Sequence, residues 1–298
     1  MLGAAKLSLF AANPVATGTG YAYFSGGYAA ARINKIQRYS MVTDVIDNTY
    51  GTLSSARDQC TSFSNGSSTG VIAGGSTAGS GITTVQTLAF SNGGIATIAS
   101  LTNGRRQSAG GSNGTNGYVI GGIGPTGSTM ANTSYRFVFA NSTWASATNN
   151  LPTATTLLGA HSNATYMATF GGSTADNETS VVSTARLMAF SGETYTSTTS
   201  LATARRSIAA TGNQTDAILY TGYYVVSTTY TFSYIVQKFN FAGATYTTTN
   251  TLGWSVHTGD AAGNDYDGVF SGGYWYSNGS GGQTGNGNQN TYQMKYNY

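Results

Sequence analysis

Short runs of alternating apolar and polar residues, separated by Gly, Asn and Ser, extend along the whole chain. In residues 205–252 these runs are RRSIAATGN, TDAILYTG, YIVQKFNF and ATYTTTNTL. Alternation with a period of two and enrichment in β-branched and aromatic residues predict β-strands, whereas an amphipathic helix would show a period of 3.6. This stretch therefore predicts four short strands.

A glycine pair, or a variant of one, closes the second strand of each such group of four. The pairs are Gly26-Gly27, Gly74-Gly75, Gly121-Gly122, Gly171-Gly172, Thr221-Gly222 and Gly272-Gly273, which recur every 47 to 51 residues. Two further series run in phase with the pairs. They are Asn13, Asn65, Asn113, Asn163, Asn213 and Asn264, and Leu53, Leu101, Leu151, Leu201 and Leu252. Three series with one period indicate six repeats.

The repeats predict an all-β fold, a single six-bladed β-propeller over residues 1–298. Blades of four antiparallel strands bury both faces against their neighbours, which suits short strands repeated at this period. The expected blades span residues 4–53, 54–101, 102–151, 152–201, 202–252 and 253–298. Glycine at a strand end and Asn in a tight turn tolerate left-handed backbone, so both series are predicted to be structural.

The two ends of the chain predict how the ring begins and closes. Residues 4–13 align with residues 204–213, so the opening strand is expected to be the innermost strand of the first blade. The sixth repeat supplies TYQMKYNY as its third strand and no fourth strand. An uncovered strand edge exposes unpaired N–H and C=O groups. We expect residues 1–4 or a neighbouring subunit to cover it.

Composition changes which partners are plausible. Only 8% of the 298 residues are charged, and the net charge of +3 includes no basic run, so nucleic acid is not an expected partner. No apolar run reaches the roughly 18 residues of a membrane span. The single cysteine, Cys60, leaves no internal disulfide. The abundance of Gly, Ser, Thr, Asn and Tyr favours an all-β chain with a weakly charged surface.

Gly122-x-Gly124-x-x-Gly127 has the spacing of a dinucleotide-binding turn. That turn requires a helix after the glycines, because the helix N-terminus binds the pyrophosphate. The segment that follows, STMANTSYRFVF, is β-branched and aromatic and lacks a helical period. We therefore expect no nucleotide cofactor.

The third repeat resembles a known family. RRQSAGGSNGTNGYVIGG (105–122) and SYRFVFANSTWASATNNL (134–151) are similar to the kelch repeat, with an Arg in the first strand, Tyr-x-x-Gly-Gly closing the second, and a Trp shortly before the final Leu. Other repeats depart from this pattern, and Trp144 has no tryptophan counterpart in them. The resemblance implies a kelch-type, galactose-oxidase-like propeller. Such propellers are mostly binding platforms and in a few cases copper oxidases, so the fold alone does not give the function.

The residues offer no catalytic set. A copper site of the galactose oxidase kind would need two His, two Tyr and a Cys that converge, but His161, His257 and Cys60 are predicted at different depths of the channel. Asp176 and Glu178 are the closest pair of acids that could catalyse glycoside hydrolysis, but they lie in a predicted solvated loop. The alternative for this pair is calcium binding. We expect no catalytic residue, metal or cofactor.

The loops after the second strand differ most from repeat to repeat and carry many aromatic residues. They leave from the same end of the propeller as the connections after the fourth strand. The predicted partner-binding residues are the aromatic residues of these loops and the first-strand arginines at this end: Tyr28, Tyr223, Tyr224, Tyr230, Tyr274, Trp275, Tyr276, Arg57, Arg105 and Arg205. Rigid aromatics on Gly/Ser/Asn loops are typical of binding surfaces. The alternatives are that the aromatics pack on the next blade and that the arginines hydrogen-bond between blades.

Two classes of function fit these features. The first is a non-enzymatic virion protein, a phage tail component or surface adhesin present in several copies, which binds other virion proteins or a host-surface glycan or protein. The weakly charged composition, rich in Gly, Ser, Thr, Asn and Tyr, fits this class. In addition, MLGAAKLSL is similar to the opening of marine phage structural proteins. The second is a secreted or cellular kelch-type module that binds glycans or proteins. Neither class requires membrane insertion.

Overall fold

The computed structural model consists of β-strands and their connections. It describes residues 8–12, 20–28, 31–126, 128–176, 179–220, 222–226, 229–233, 235–251, 255–257, 260–263, 267–271, 274–276 and 291–295. These residues form no helix, and so none that could cross a membrane. The absence of helices agrees with the all-β prediction.

Four-stranded antiparallel sheets follow one another along the first four repeats. Blade 1 consists of β1 (Ser8–Ala12), β2 (Tyr21–Ser25), β3 (Lys35–Ser40) and β4 (Ile46–Thr52). Blade 2 consists of β5 (Thr61–Ser64), β6 (Thr69–Ala73), β7 (Val85–Ala89) and β8 (Ile95–Ile98). Blade 3 consists of β9 (Ala109–Ser112), β10 (Asn116–Ile120), β11 (Ser134–Val138) and β12 (Thr143–Ser146). Blade 4 consists of β13 (Gly159–Ser162), β14 (Tyr166–Phe170), β15 (Ala185–Ala189) and β16 (Thr194–Ser197).

The last two repeats carry additional strand pairs. Blade 5 contains β17 (Ala209–Gly212) and β18 (Asp216–Tyr220), a hairpin of β19 (Tyr223–Val226) and β20 (Thr229–Phe232), and then β21 (Ile235–Asn240) and β22 (Thr245–Thr251). The remaining strands are β23 (Ser255–His257), β24 (Asp260–Gly263), β25 (Asp267–Ser271), β26 (Tyr274–Tyr276) and β27 (Thr291–Lys295). Strands β24, β25 and β27 form a three-stranded sheet, here called the sixth sheet, and β23 pairs with β26.

The fold is a β-propeller with five four-stranded blades, not the predicted six. The innermost strands β1, β5, β9, β13 and β17 lie side by side in this order, and β24 lies next to both β17 and β1. The predicted innermost position of the opening strand is therefore confirmed. The prediction of six blades is corrected because the sixth sheet has only three strands among the described residues, with β27 paired to β25 as the expected third strand. No described residue adds a fourth strand to that sheet, and residues 1–4 lie outside the described residues.

The core lies between neighbouring sheets. Each of six clusters of buried side chains joins two adjacent sheets. One joins Phe24 of blade 1 to Val269 of the sixth sheet, and another joins Tyr220 of blade 5 to Ala261. Since burial of apolar surface is the dominant favourable term in folding, each sheet stabilises both of its neighbours.

The glycine pairs form backbone hydrogen bonds between blades. The N–H of the second glycine donates to a backbone carbonyl oxygen that lies shortly before the innermost strand of the next blade. The bonds run from Gly27 to Arg57 (2.8 Å), Gly75 to Arg105 (2.8 Å), Gly122 to Thr155 (2.9 Å) and Gly172 to Arg205 (2.9 Å). The first glycine has a positive φ, which is 65° at Gly121, and a Cβ there would collide with the same carbonyl oxygen. The spacing of the pairs therefore marks the contact between blades.

A second set of inter-blade hydrogen bonds involves residues with left-handed backbone. Gln59, Gln107, Leu157 and Ser207 have φ values of 55° to 57°. The N–H of Gln107 donates to Gln59, that of Leu157 to Gln107 and that of Ser207 to Leu157, at 3.0, 3.0 and 2.9 Å. This conformation costs a non-glycine residue about 1–2 kcal/mol, so the hydrogen bonds between blades hold the residues in it. We call these four residues the left-handed belt.

Four members of the Asn series form turns, as predicted, and the other two, Asn13 and Asn264, lie outside the described residues. The side-chain oxygen of Asn113 accepts hydrogen bonds from the N–H groups of Thr115 (3.0 Å) and Asn116 (2.8 Å). Asn65, Asn163 and Asn213 accept equivalent bonds in their own turns. Side-chain to backbone bonds of this kind stabilise a turn between two strands.

We predict that Gly121→Ala lowers the free energy of unfolding by about 2 kcal/mol or more, because it adds both backbone strain and a collision with Thr155. Gly79→Ala is the matched control, since Gly79 also has a positive φ (92°) but has no atom within 4 Å of an added Cβ. Urea denaturation of both variants checks this. Equal losses of stability would contradict a role for the carbonyl contact.

We also predict that Ser207→Gly raises the free energy of unfolding by about 1 kcal/mol. The change relieves left-handed strain and removes a buried hydroxyl without a hydrogen-bond partner among the described residues, and these gains exceed the entropy cost of glycine. Ser207→Ala removes only the hydroxyl and should gain less. If the glycine variant has a lower thermal transition temperature than wild type, the left-handed backbone at residue 207 is not strained.

Candidate functional site

The propeller has two ends with different character. One end, here called the loop face, carries the connections after the second strands (residues 26–34, 74–84, 121–133, 171–184 and 221–234) and the connections after the fourth strands. The other end, here called the Asn-turn face, carries the turns at Asn65, Asn113, Asn163 and Asn213. The predicted partner-binding residues all belong to the loop-face connections.

The three predicted arginines are buried in the blade framework. Arg57 and Arg205 are 0% exposed and Arg105 is 5% exposed. Arg57 donates to Gln86 Oε1 (2.9 Å), and Arg105 donates to the Tyr135 hydroxyl (3.4 Å) within its own repeat. These side-chain bonds join residues of one repeat. Burial leaves the guanidinium groups little surface for a partner, and partner binding by these three residues stays a prediction.

Arg205 illustrates the cost of this burial. Its Nη1 donates to Ser233 Oγ (3.2 Å), while Nε and Nη2 have no hydrogen-bond partner in the described part of the chain. Burial lowers the pKa of Arg205 to about 10, and Tyr246 acts in the opposite direction. The Arg205 side chain therefore remains charged at neutral pH although it is buried within blade 5.

The described loop-face tyrosines differ in accessibility. Tyr28 is 38% exposed, and the guanidinium of Arg32 lies 5.8 Å from its ring centre. Tyr223 is only 4% exposed, and its hydroxyl accepts a hydrogen bond from Arg206 Nη2 (2.6 Å). Tyr224 is half-buried. Tyr223 therefore follows the alternative interpretation, in which an aromatic residue packs in the framework, whereas Tyr28 and Tyr224 are accessible.

Two β-ribbons bring most of the predicted aromatic positions to one side of the loop face. In the first, β19 contains Tyr223 and Tyr224 and pairs with β20, which contains Tyr230. In the second, β26 (Tyr274–Tyr276) pairs with β23. Strands β20 and β23 are neighbours. The side chains of Tyr230, Tyr274, Trp275 and Tyr276 lie outside the described residues.

Charged residues that the sequence analysis missed also lie at the loop face. Arg32 Nε is 2.7 Å from Asp58 Oδ1, and Arg106 Nη2 is 3.4 Å from Asp176 Oδ2. Burial raises the pKa of Asp58, against the effect of Arg32. Asp58 and Arg106 share one position of the repeat, which was the signal that could have identified them. Asp176 thus pairs with a cation, and its predicted companion Glu178 lies outside the described residues.

His161 and Cys60 lie in different blade interfaces. The His161 ring packs 5.9 Å from that of Phe241, and its Nε2 is 3.1 Å from the Asn213 carbonyl oxygen, between blades 4 and 5. Cys60 is buried with Ile72 and Leu88 between blades 1 and 2. The His257 side chain lies outside the described residues. His161 and Cys60 therefore do not converge on one site.

No family model matches the chain, and no curated protein matches it. The kelch resemblance therefore depends on the repeat residues and on the propeller fold alone.

We predict that His161 makes stability fall as the pH decreases from about 6.5 to about 4. Burial lowers its pKa from 6.5 to about 4 in the folded protein, so the unfolded chain binds the proton first, and stability is lost through this window. His161→Phe, which copies Phe63 at the equivalent position of blade 2, should reduce the loss. Denaturation of both proteins across this pH range checks the difference. Identical pH profiles would contradict it.

Proposed function

We propose that the protein is a non-enzymatic virion component, a phage tail protein or surface adhesin, whose loop face binds a host-surface glycan or protein or a neighbouring virion protein. Its small charged fraction and its Tyr-rich loops support this proposal. Several copies in a symmetric assembly would present several loop faces together, which raises avidity without any new contact.

The observation that carries the proposal is the contrast between the two ends of the propeller. On the Asn-turn face, the four described turns repeat one hydrogen-bonded arrangement. On the loop face, the connections differ in length, and those near blade 5 and the sixth sheet contain the two Tyr-rich ribbons. Variable loops on a rigid scaffold are where binding residues concentrate.

We further propose that the propeller is of the kelch type and that the sixth sheet is an incomplete sixth blade. The glycine pair bonded to the next repeat and the buried first-strand arginine support the first part. The position of β24 between β17 and β1 supports the second. The alternative function is a secreted or cellular kelch-type binding module, which would use the same face.

Mass spectrometry of purified particles tests the virion assignment directly. Particles produced from the phage that carries this gene should contain the protein as a stoichiometric component. Its presence only in cells or in the culture medium would instead support the alternative module.

Tyr28 and Tyr21 form a matched pair for testing the loop face. Tyr28 follows β2 at the loop face and Tyr21 begins β2 at the other end, with 38% and 37% exposure, and each lies near an arginine. We predict that combining Tyr28→Ser and Tyr224→Ser with Trp275→Ser and Tyr276→Ser weakens adsorption to host cells by about tenfold or more. Tyr21→Ser should leave adsorption unchanged.

Thermal unfolding of the same variants provides the control for folding. The combined variant should unfold close to wild type, whereas Tyr223→Ser should destabilise because it removes the buried partner of Arg206. Adsorption that survives the combined change, or is lost equally in Tyr21→Ser, would refute a binding role for the loop face.

A further inference from the structure

An open cavity of about 320 Å³ occupies the channel at the Asn-turn face, opposite the face discussed above. The described part of its wall comes from the innermost strands of blades 2 to 5 and from the sixth sheet. Exposed turn residues, Gly114, Ala164 and Gln214, surround its mouth. Towards the loop face, the four residues of the left-handed belt precede the same strands in the chain and are buried.

The cavity exists because equivalent positions of the repeats carry small side chains. One level of the wall is formed by Ser62, Gly110, Ala160 and Ala210, and the next by Ser64, Ser112, Ser162 and Gly212. Strands β5, β9, β13 and β17 are end strands of their sheets, so one edge of each lacks a neighbouring strand of its own sheet. The N–H and C=O groups along such an edge are hydrogen-bonding groups for whatever lies beside it.

Part of this edge is already used, which shows how it bonds a hydroxyl. The Ser162 hydroxyl accepts from the N–H of Ser112 (3.0 Å) and donates to the C=O of Ser112 (2.9 Å). One hydroxyl thus acts as donor and acceptor towards the same residue of the wall. A ligand hydroxyl placed beside another inner edge would find the same pair of groups.

The part of the wall that the structure describes is uncharged. None of the residues described around the cavity is Asp, Glu, Lys or Arg. His161 is the only His among them, and its ring lies between blades with Nε2 bound to the Asn213 carbonyl. A charged ligand entering the cavity would lose hydration without gaining a counter-charge, which is costly.

We propose that this cavity binds a single neutral sugar unit. Small-molecule sites begin at about 300 Å³, so the cavity has room for one pyranose ring. Sugar hydroxyls donate and accept hydrogen bonds, which matches a wall of backbone N–H and C=O groups, serines and turn asparagines. This site is separate from the loop face and does not depend on the proposed adhesin function.

Saturation-transfer difference NMR on the full chain tests the proposal. The probes are D-glucose, D-galactose, D-mannose and N-acetyl-D-glucosamine, with D-glucuronate and D-glucosamine as charged counterparts. At least one neutral sugar should give transfer signals stronger than those of both charged sugars. No signal from any neutral sugar, or stronger signals from a charged one, overturns the proposal.

Two neighbouring exposed residues supply a matched pair of variants. Ala164 lines the mouth, whereas Thr165 does not line the cavity. Ala164→Trp should raise the Kd of the responding sugar about tenfold or more, which corresponds to about 1.4 kcal/mol, and Thr165→Trp should leave it unchanged. Equal binding by the two variants places the sugar outside the cavity and overturns the proposal.

A second variant covers the case in which Ala164→Trp disturbs folding. Gln214→Trp narrows the mouth from the next blade and should also raise the Kd of the responding sugar severalfold. Unchanged sugar affinity in a folded Gln214→Trp variant overturns the proposal. The combined loop-face variant should bind sugar like wild type, so failure of the adhesin proposal and failure of this one remain distinguishable.

Discussion

The structure depends on the hydrogen bond from the second glycine of each pair to the carbonyl oxygen at the start of the next repeat. This bond fixes the distance between neighbouring blades at the loop face, and the left-handed belt fixes it nearer the channel. With both in place, the apolar clusters between the sheets can pack closely. Buried backbone groups must be paired in a stable fold, so the same bonds that set the geometry also satisfy the backbone where blades meet.

The framework was predictable because it repeats. Gly121-Gly122 and Asn113 each need a special backbone conformation or turn, and such needs restrict residue type, which makes a period visible. The belt was not predictable, because Leu157 and Gln107 adopt left-handed backbone only through their tertiary hydrogen bonds. The number of blades was wrong because the sixth repeat supplies TYQMKYNY as the third strand of its sheet and no fourth strand among the described residues. The sequence also placed YWY in a loop, whereas it forms β26 and pairs with β23.

The candidate site was predictable only in position. The loops with variable length and many tyrosines are at one end, as the alternation of strands requires, but the exposure of each side chain depends on its neighbours. Tyr223 is buried by Arg206, and Arg57 by the strands of its own blade. The cavity at the other end was missed because its signal is the repeated absence of large side chains at Ala160 and its equivalents. Small residues in a strand do not by themselves indicate a binding site.

The central claim is that the glycine-pair bonds hold the blades in one rigid ring, from which both faces take their geometry. Native-state hydrogen exchange of the second glycines, at Gly27, Gly75, Gly122 and Gly172, tests it most directly, because exchange reports the free energy of opening at each amide. The account predicts that these four amides exchange only through opening reactions close in free energy to global unfolding. Exchange as fast as that of the amide of Ala78, an exposed loop residue, would contradict it.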